Sequence, residues 1–230
     1  MAKKGKLIVI DGTDASGKAT QTALLIKHLK QNGHKVKIVD FPEYYSNFFG
    51  GFIGHCLSEQ YYNFVKIHPK IASVLFAADR FESKEKIIRW LKEGFVVIAN
   101  RYASANQIHQ GGKIKNTKKR TAFLKWLAEM EYGVFQIPRP DAVFYLSVPI
   151  PVVLKLIRER DNGHTRAYLK KKKDVYEKDV NFLENSRKSA LWLSKTQKGW
   201  IKIECVKNGV LDTRDNIHNQ IYAKVKKILK

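Results

Sequence analysis

The stretch Ile10–Gln21, with the sequence IDGTDASGKATQ, decides the fold that the rest of the chain must adopt. Gly12 to Lys18 matches the phosphate-binding pattern G-x-x-x-x-G-K-[ST], but Ala19 stands where the pattern has a hydroxyl, and Thr20 follows one position late. The residues before the stretch form an apolar run typical of a strand, and those after it have helical spacing. A strand, a glycine turn and a helix in this order predict a loop whose backbone amides, together with Lys18, bind the phosphates of a nucleoside triphosphate.

Five short apolar runs predict the strands of a sheet. They are rich in Val, Ile or Phe and lack strict alternation, which is the pattern of strands buried on both faces: Leu7–Asp11, Val36–Phe41, Phe95–Ala99, Ala142–Val148 and Trp200–Val206. Helical patterns separate them, the first ending at Asn32-Gly33 and the last beginning at Asp212-Thr213. This alternation predicts one α/β domain over residues 1–230, a five-stranded parallel sheet flanked by helices in the doubly wound, P-loop NTP hydrolase-like arrangement. The polar segment 155–179 is predicted to be a lid-like insertion in that domain.

The chain is strongly basic. Forty-three Lys and Arg residues against twenty-one Asp and Glu residues give a net charge of +22, which suits nucleic acids, phosphorylated metabolites or anionic surfaces. Most lysines are scattered and no nucleic-acid-binding motif accompanies them, so a nucleic-acid partner is not expected. No apolar segment approaches the roughly 20 residues of a membrane span, and the first apolar run is too short for a signal peptide. With the isolated Cys56 and Cys205, these features predict a cytoplasmic protein that does not contact membranes.

Phosphate-binding loops occur in GTPases, ATPase motors and small-molecule kinases, so other segments must distinguish these classes. Five motifs follow one another along the chain: Gly12-x-Asp14-x-x-Gly17-Lys18-x-Thr20-Gln21, Asp40-Phe41-Pro42-Glu43-Tyr44, Leu75-Phe76-Ala77-Ala78-Asp79-Arg80, Asn100-Arg101-Tyr102 with Asn106 and Gln110-Gly111 downstream, and Pro140-Asp141-x-x-x-Tyr145-Leu146-x-Val148-Pro149. In these motifs, over nearly its whole length, the chain resembles the thymidylate kinase family of P-loop nucleoside monophosphate kinases. The resemblance implies transfer of a phosphoryl group from ATP to dTMP, giving ADP and dTDP for dTTP synthesis. It also implies Mg²⁺ as a cofactor and a homodimer.

The resemblance assigns a substrate to each motif. The ATP phosphates would bind to Gly12, Thr13, Asp14, Ala15, Ser16, Gly17, Lys18, Ala19 and Thr20. Phe76 would stack on the acceptor base and Arg80 would hydrogen-bond its carbonyl edge, and Arg101 would bind the acceptor phosphate. The full set of implied dTMP-binding residues is Phe41, Pro42, Tyr44, Phe76, Arg80, Arg101, Asn106, His109 and Gln110.

A catalytic arginine is also implied. Members of the family carry it either in the phosphate loop or in the lid, and the loop of this chain has none. The lid offers Arg158, Arg160 and Arg166, of which Arg160 and Arg166 are the choices, because an arginine there could neutralise the transferring group on closing. The catalytic residues implied in this way are Lys18, Asp14, Arg101, Arg160 and Arg166.

Three of these side chains have a structural alternative. Asp14 could hold the sugar hydroxyl of the acceptor or support Mg²⁺ through a water molecule, but aspartate also favours turns. Arg101 could form a structural salt bridge instead of binding phosphate. His109 stands where the family usually has a tyrosine, so it either lines the sugar or is an ordinary polar loop residue.

Two departures from the family pattern concern the metal. Ala19 removes the usual hydroxyl ligand, and Asn100 replaces the acid that precedes the arginine in the family's "DRY" segment. Together they leave open a pseudoenzyme that binds nucleotides without turnover. Two further hypotheses are a kinase for another deoxynucleotide, such as dUMP or a purine, and a basic nucleic-acid-binding P-loop protein. Against the pseudoenzyme, Mg²⁺ held mainly by phosphates and water needs few protein ligands.

Overall fold

A five-stranded parallel sheet lies at the centre of the structure, a computed structural model that describes residues 4–58, 64–161, 177 and 179–230. The strand order is β2-β3-β1-β4-β5. Their bounds are Lys6–Gly12 for β1, Val36–Asp40 for β2, Val96–Asn100 for β3, Ala142–Ser147 for β4 and Trp200–Glu204 for β5. The predicted fold class is confirmed, and the predicted strand bounds are correct to within one or two residues.

The helices form a layer on each face of the sheet. They are α1 (Lys18–Gln31), α2 (Phe48–Leu57), α3 (Pro69–Glu82), α4 (Lys84–Lys92), α5 (Ala103–Ala105), α6 (Thr117–Ala128), α7 (Ile150–Asp161), α8 (Val180–Thr196) and α9 (Arg214–Leu229). Helix α5 continues as a π-helical turn over Asn106–Gln110, and α6 as another over Glu129–Val134. A small antiparallel hairpin, β6 (Val206–Lys207) with β7 (Val210–Leu211), follows β5 and was not predicted.

The side chains of β1 show how the two layers are held. Ile8 and Ile10 point into a cluster with residues of α1, α7, α8 and α9, whereas Leu7 and Val9 point into a second cluster with residues of α4 and α5. Both clusters are buried, so the central strands read as continuous apolar runs. The burial of β1 on both faces therefore follows from the alternation of its side chains across the sheet.

Burial on both faces was predicted for all five strands, and this is wrong for the two edge strands. Every residue of β3 and β4 is buried, but most residues of β2 and β5 are partly or well exposed. Ile38, in the middle of β2, is 49% exposed. The sequence contains a signal for this difference, because Lys37 and Lys202 interrupt the two runs, as charged residues do on edge strands.

The helix boundaries predicted from stop and start signals are confirmed. Helix α1 ends before Asn32, and Gly33 adopts a φ of +79°, a left-handed conformation that glycine takes without a Cβ penalty. At the start of α9, the Thr213 side chain accepts a hydrogen bond from the backbone N–H of Asn216. These local signals set where α1 ends and α9 begins, and both helices pack in the same cluster on one face of the sheet.

The predicted lid segment 155–179 falls mostly outside the described residues. Its first part continues α7 to Asp161, and Asp179 caps α8 by accepting a hydrogen bond from the Phe182 N–H. The division of the chain into one domain with a lid stays a prediction. Among the residues that the structure describes, no helix has the length and apolar character that crossing a bilayer requires.

Candidate active site

A cavity of about 980 Å³ opens at the carboxyl ends of β1, β2 and β3. The phosphate loop forms its centre. One end reaches Phe76 and Arg80 on α3, and the other reaches Leu156 on α7 and Arg214 at the start of α9. Open α/β sheets bind their ligands at this edge, and the volume is that of a small-molecule site.

The phosphate loop has the backbone geometry that anion binding requires. Ala15 and Gly17 adopt φ values of +54° and +86°, which turn the chain sharply between β1 and α1. A Cβ at Gly12 would lie 2.4 Å from Ser16 Oγ and 3.1 Å from Leu146 O, so a larger residue would require Ser16 to rotate and the backbone of β4 to shift. The buried Lys18 donates from Nζ to the carbonyl oxygens of Gly12 (3.1 Å) and Thr13 (2.8 Å), which places its positive charge over the loop.

Arg101 joins the loop to the neighbouring strand. It follows β3 directly with a φ of +64°, a conformation that non-glycine residues rarely adopt and that occurs preferentially at functional sites. Its Nη2 donates to Asp14 Oδ1 at 2.5 Å and its Nη1 to His109 Nε2 at 2.8 Å. The structural salt bridge considered as the alternative role of Arg101 is thus present, formed with Asp14. It does not exclude phosphate binding, because Arg101 also lines the cavity.

The contacts of His109 settle its tautomer. Arginine can only donate, so Nε2 of the imidazole accepts and the proton resides on Nδ1, which lies 3.1 Å from Ser186 Oγ on α8. Burial, followed by the positive charge of Arg101, lowers the pKa of His109 to about 3. His109 is therefore neutral over the physiological range and acts as a fixed hydrogen-bond acceptor for Arg101.

The low pKa of His109 predicts a pH-dependent stability. Because the pKa falls from 6.5 to about 3 on folding, the unfolded chain binds the extra proton between these values, and stability is lost as the pH falls below about 6.5. The free energy of unfolding should decrease by up to about 1.4 kcal/mol per pH unit from this residue. Urea unfolding of wild type and His109→Gln between pH 5 and 7.5 measures it. If His109→Gln loses stability with falling pH as steeply as the wild type does, His109 is not the source of the pH dependence.

A buried ion pair lies at the end of the cavity that α3 lines. Arg80 is 2% exposed, and it donates from Nε to Glu131 Oε2 at 2.9 Å and from Nη2 to Glu131 Oε1. Burial opposes the charge of Arg80, but Glu131 outweighs it and the pKa of the guanidinium is raised. Asn106 donates to Glu131 Oε1 (3.1 Å) and to the Ser73 carbonyl (3.1 Å). Glu131 thus connects two of the predicted base-contacting residues.

Asp79 connects the loop after β2 to α3 through hydrogen bonds. Its carboxylate accepts from the Glu43 N–H at 3.1 Å and from Asn47 Nδ2 at 2.9 Å. Burial raises the pKa of Asp79 to about 6, although both hydrogen bonds act in the opposite direction. This attachment sets the positions of Pro42 and Tyr44, which line the cavity together with Phe41.

Most predicted site residues come together in this cavity. Those that line it are Asp14, Ala15, Ser16, Gly17, Lys18, Ala19, Thr20, Phe41, Pro42, Tyr44, Phe76, Arg80, Arg101, Asn106, His109 and Gln110. Gly12 and Thr13 contribute the carbonyl groups that hold Lys18. Arg166 lies outside the described residues, and Arg160 belongs to α7. Sequence reasoning did not single out Asp40, Asp79, Glu131 and Ser186 as site residues.

The metal-binding capacity of the cavity is modest. Within residues 4–58, 64–161, 177 and 179–230, no three His, Cys, Asp or Glu side chains form a group that could hold a metal ion. Two carboxylates, Asp14 and Asp40, line the cavity with Lys18, and a Mg²⁺ ion that arrives on nucleotide phosphates would need only one or two carboxylates from the protein.

The chain is similar to known proteins over nearly its full length. The family model described as thymidylate kinase matches residues 10–217. Thymidylate kinase of Plasmodium falciparum is 29% identical over 228 residues, which cover 98% of this chain and 92% of that protein. A probable thymidylate kinase of Pyrococcus horikoshii is 33% identical over 159 residues, 68% of this chain and 72% of the relative. The solved structure of thymidylate kinase from Candida albicans has the same fold, with a TM-score of 0.74 at 20% identity over 99% of this chain and 94% of that one.

Proposed function

This chain belongs to the thymidylate kinase family, and from that premise we propose that it transfers the γ-phosphoryl group of ATP to dTMP, giving ADP and dTDP. The observation that carries the proposal is the continuity of the cavity. A phosphate loop with a buried lysine and an end that carries Phe76 and Arg80 line the same space, with Arg101 between them. A donor site and an acceptor site that share one cavity meet the first requirement of direct phosphoryl transfer, which is positioning.

The donor half binds ATP through the loop amides and Lys18. The ammonium group faces the β- and γ-phosphates, and bound Mg²⁺ supplies further neutralisation of their charge. An oxygen of the acceptor phosphate attacks the γ-phosphorus while the bond to the bridging oxygen of ADP breaks. Arg101, oriented by Asp14 and His109, holds the acceptor phosphate for this attack. Arg160 and Arg166 remain the proposed lid arginines that neutralise the transferring group.

The end of the cavity that carries Phe76 and Arg80 is the proposed binding site for the pyrimidine base of dTMP. Phe76 is half-buried at the cavity wall, where its ring face is available for stacking. Glu131 engages Nε and Nη2 of Arg80, which leaves Nη1 of the guanidinium to donate to a carbonyl of the base. Because the ion pair fixes the plane of the guanidinium, the donor points in one direction, as discrimination between bases requires.

A coupled assay of ADP release tests the proposed reaction. The substrates are dTMP, dUMP and a deoxypurine monophosphate, each with and without Mg²⁺. Turnover with dTMP that depends on Mg²⁺ is the expected result. Turnover with another monophosphate but not with dTMP would refute the substrate, and nucleotide binding without any turnover would support the pseudoenzyme instead.

The missing hydroxyl at position 19 predicts a mild substitution effect. Ala19 is exposed at the start of α1 and lines the cavity, so a serine fits there without displacing a neighbour. Ala19→Ser should leave the turnover number within about threefold of wild type, because the hydroxyl adds only one Mg²⁺ ligand. Steady-state kinetics across Mg²⁺ concentrations measure the effect. Loss of activity in this variant would show that the metal is held in a different way.

Homodimerisation is proposed from an exposed apolar face. Ile71, Val74 and Phe81 lie on one side of α3 and are 60%, 42% and 48% exposed, and Phe48 at the start of α2 is 77% exposed. The Phe48 N–H donates to Glu82 Oε1, and Glu82 follows Phe81 in the chain, so Phe48 lies at the same end of α3 as Phe81. Exposed patches of this kind commonly mark protein interfaces, and a second copy of the chain is the proposed occupant.

Light scattering after size exclusion tests the dimer. The wild type should have twice the mass of the chain, and Val74→Glu with Phe81→Glu should reduce it to the monomer. Ile38→Glu, which changes an exposed apolar residue of β2 outside the patch, serves as the control and should remain dimeric. A monomeric wild type at working concentration would overturn the proposal.

A cytoplasmic location is also proposed. Both cysteines, Cys56 and Cys205, are free and buried. Burial raises the pKa of the Cys56 thiol above its ordinary value, and it raises the pKa of the Cys205 thiol to about 12. Thiols in this state behave as small apolar side chains, which is the usual condition of cysteines in a reducing compartment.

A further inference from the structure

Asp40 and Asn100 form a pair at the carboxyl edge of the sheet. They are the last residues of β2 and β3 and lie directly opposite each other in the parallel ladder. Nδ2 of Asn100 donates to Asp40 Oδ1 at 2.8 Å, and both residues line the cavity beside the phosphate loop. Asn100 stands in place of an acid in the family pattern, and its hydrogen bond to Asp40 places a carboxylate beside that position.

The side-chain oxygen of Asn100 is available as a hydrogen-bond acceptor. Oδ1 is buried, and among the described residues nothing donates a hydrogen bond to it. A buried polar atom without a partner is costly and needs an explanation, such as a catalytic role or a bound water or ion. An amide whose NH₂ group is bound to a carboxylate presents its oxygen as an acceptor, and that oxygen suits a donor such as a metal-bound water.

Three carboxylates lie near Lys18, and two of them are either fully buried or bound to a cation. Asp11 is fully buried and accepts from the Gly12 N–H and from Ser104 Oγ. Asp14 is bound by Arg101. Asp40 is the remaining one, and it reaches the solvent of the cavity. Partial burial raises the pKa of Asp40, while the charges of Arg101 and Lys18 oppose that rise and favour the carboxylate.

We propose that Asp40 provides the carboxylate for the Mg²⁺–ATP complex in this chain, through a metal-bound water, and that Asn100 is its positioning residue. Relative to the family pattern, the negative charge has moved across the ladder from the end of β3 to the end of β2. Asn100 orients Asp40 through Nδ2 and accepts a hydrogen bond from a metal-bound water at Oδ1. The inference rests on the proposed function for the identity of the nucleotide, and it replaces Asp14 with Asp40 as the carboxylate nearest the metal.

Nucleotide binding measures this role without catalysis. Calorimetry with a non-hydrolysable ATP analogue, in Mg²⁺ and in EDTA, gives two dissociation constants whose ratio is the contribution of the metal. In the wild type Mg²⁺ should tighten binding at least tenfold. Asp40→Asn should reduce that ratio about tenfold, while affinity in EDTA stays the same or improves because a negative charge near the phosphates is lost.

A charge exchange separates this role from a general effect on structure. The double variant Asp40→Asn with Asn100→Asp returns the acid to β3 and should recover most of the wild-type ratio. Glu85→Gln, which removes an exposed carboxylate on α4, is the control and should leave the ratio of the two dissociation constants unchanged. Melting temperatures of all variants confirm folding.

Two outcomes would overturn the inference. The first is a wild type that binds the ATP analogue with the same affinity in Mg²⁺ and in EDTA. The second is an Asp40→Asn variant whose ratio of the two dissociation constants stays within twofold of the wild-type ratio. Failure of the proposed function is distinguishable, because it appears as absent dTMP turnover in the ADP-release assay. Metal-dependent binding of the ATP analogue, measured without an acceptor, is unaffected by that failure.

Discussion

Lys18→Ala is expected to reduce dTMP phosphorylation by on the order of 10³-fold or more. The ammonium group is held over the loop by two carbonyl oxygens, at 3.1 and 2.8 Å, in the position proposed for the β- and γ-phosphates of ATP. Its removal deletes a charge that acts on the phosphoryl group in a partly water-excluded site, so the turnover number should fall more steeply than nucleotide affinity. Steady-state assays combined with calorimetry of nucleotide binding give both quantities.

Lys27→Ala provides the matched control for this substitution. Lys27 lies on the same helix and is exposed to solvent, so its loss changes the net charge equally without touching the loop. Its kinetic constants should remain close to those of the wild type. If Lys18→Ala retained more than a tenth of the wild-type turnover, phosphate binding by this loop could not have the proposed catalytic role.

Arg80→Ala is expected to destabilise the fold as well as to weaken dTMP binding. The substitution leaves Glu131 charged and buried without its ionic partner, and breaking a buried ion pair in this way costs about 3–5 kcal/mol. For a chain of this length, the melting temperature should fall by about 10 °C. A raised KM in this variant would therefore combine loss of base contact with loss of structure, and cannot by itself assign the role of Arg80.

The double variant Arg80→Met with Glu131→Leu separates the two effects. Removing both charges and filling the space with apolar side chains should recover most of the lost stability, because paired deletion leaves no buried charge uncompensated. The KM for dTMP should nevertheless stay at least tenfold above the wild type, because the donor to the base is gone. A double variant with normal melting temperature and normal KM would show that Arg80 is structural alone.

The fold could be predicted because its determinants are local. The alternation of apolar runs with helical segments, Gly33 after α1 and Thr213 before α9 specify the elements without reference to distant residues. The exposure of Ile38 could not be read in the same way, because it depends on β2 lying at the sheet edge, and strand order is a property of the assembled sheet. The short hairpin after β5 was missed for a related reason, since two-residue strands have no periodicity to detect.

The site was predicted through motifs, and most of the pairings between its residues were missed. Arg80 and Asn106 stand in recognisable segments, but Glu131, the partner that they share, does not. Glu131 lies 51 positions from Arg80 in the sequence and belongs to a π-helical turn that no periodicity indicates. Asp40 and Asn100 are 60 positions apart, and only the ladder between β2 and β3 makes them neighbours. Pair interactions of this kind arise from packing, so a single sequence does not reveal them.

The π-helical turn over Asn106–Gln110 makes the contact between His109 and Arg101 sensitive to the number of residues in that turn. A π-turn accommodates one residue more than an α-helical turn, and each residue of an α-helix rotates the next side chain by about 100°. Deleting Gln107 would let the turn relax to an α-helix and would rotate His109 away from Arg101 relative to Asn106, although no side chain of the pair had been altered. The proposed contact between Arg101 and the acceptor phosphate thus depends on the number of residues in this turn as well as on their identity.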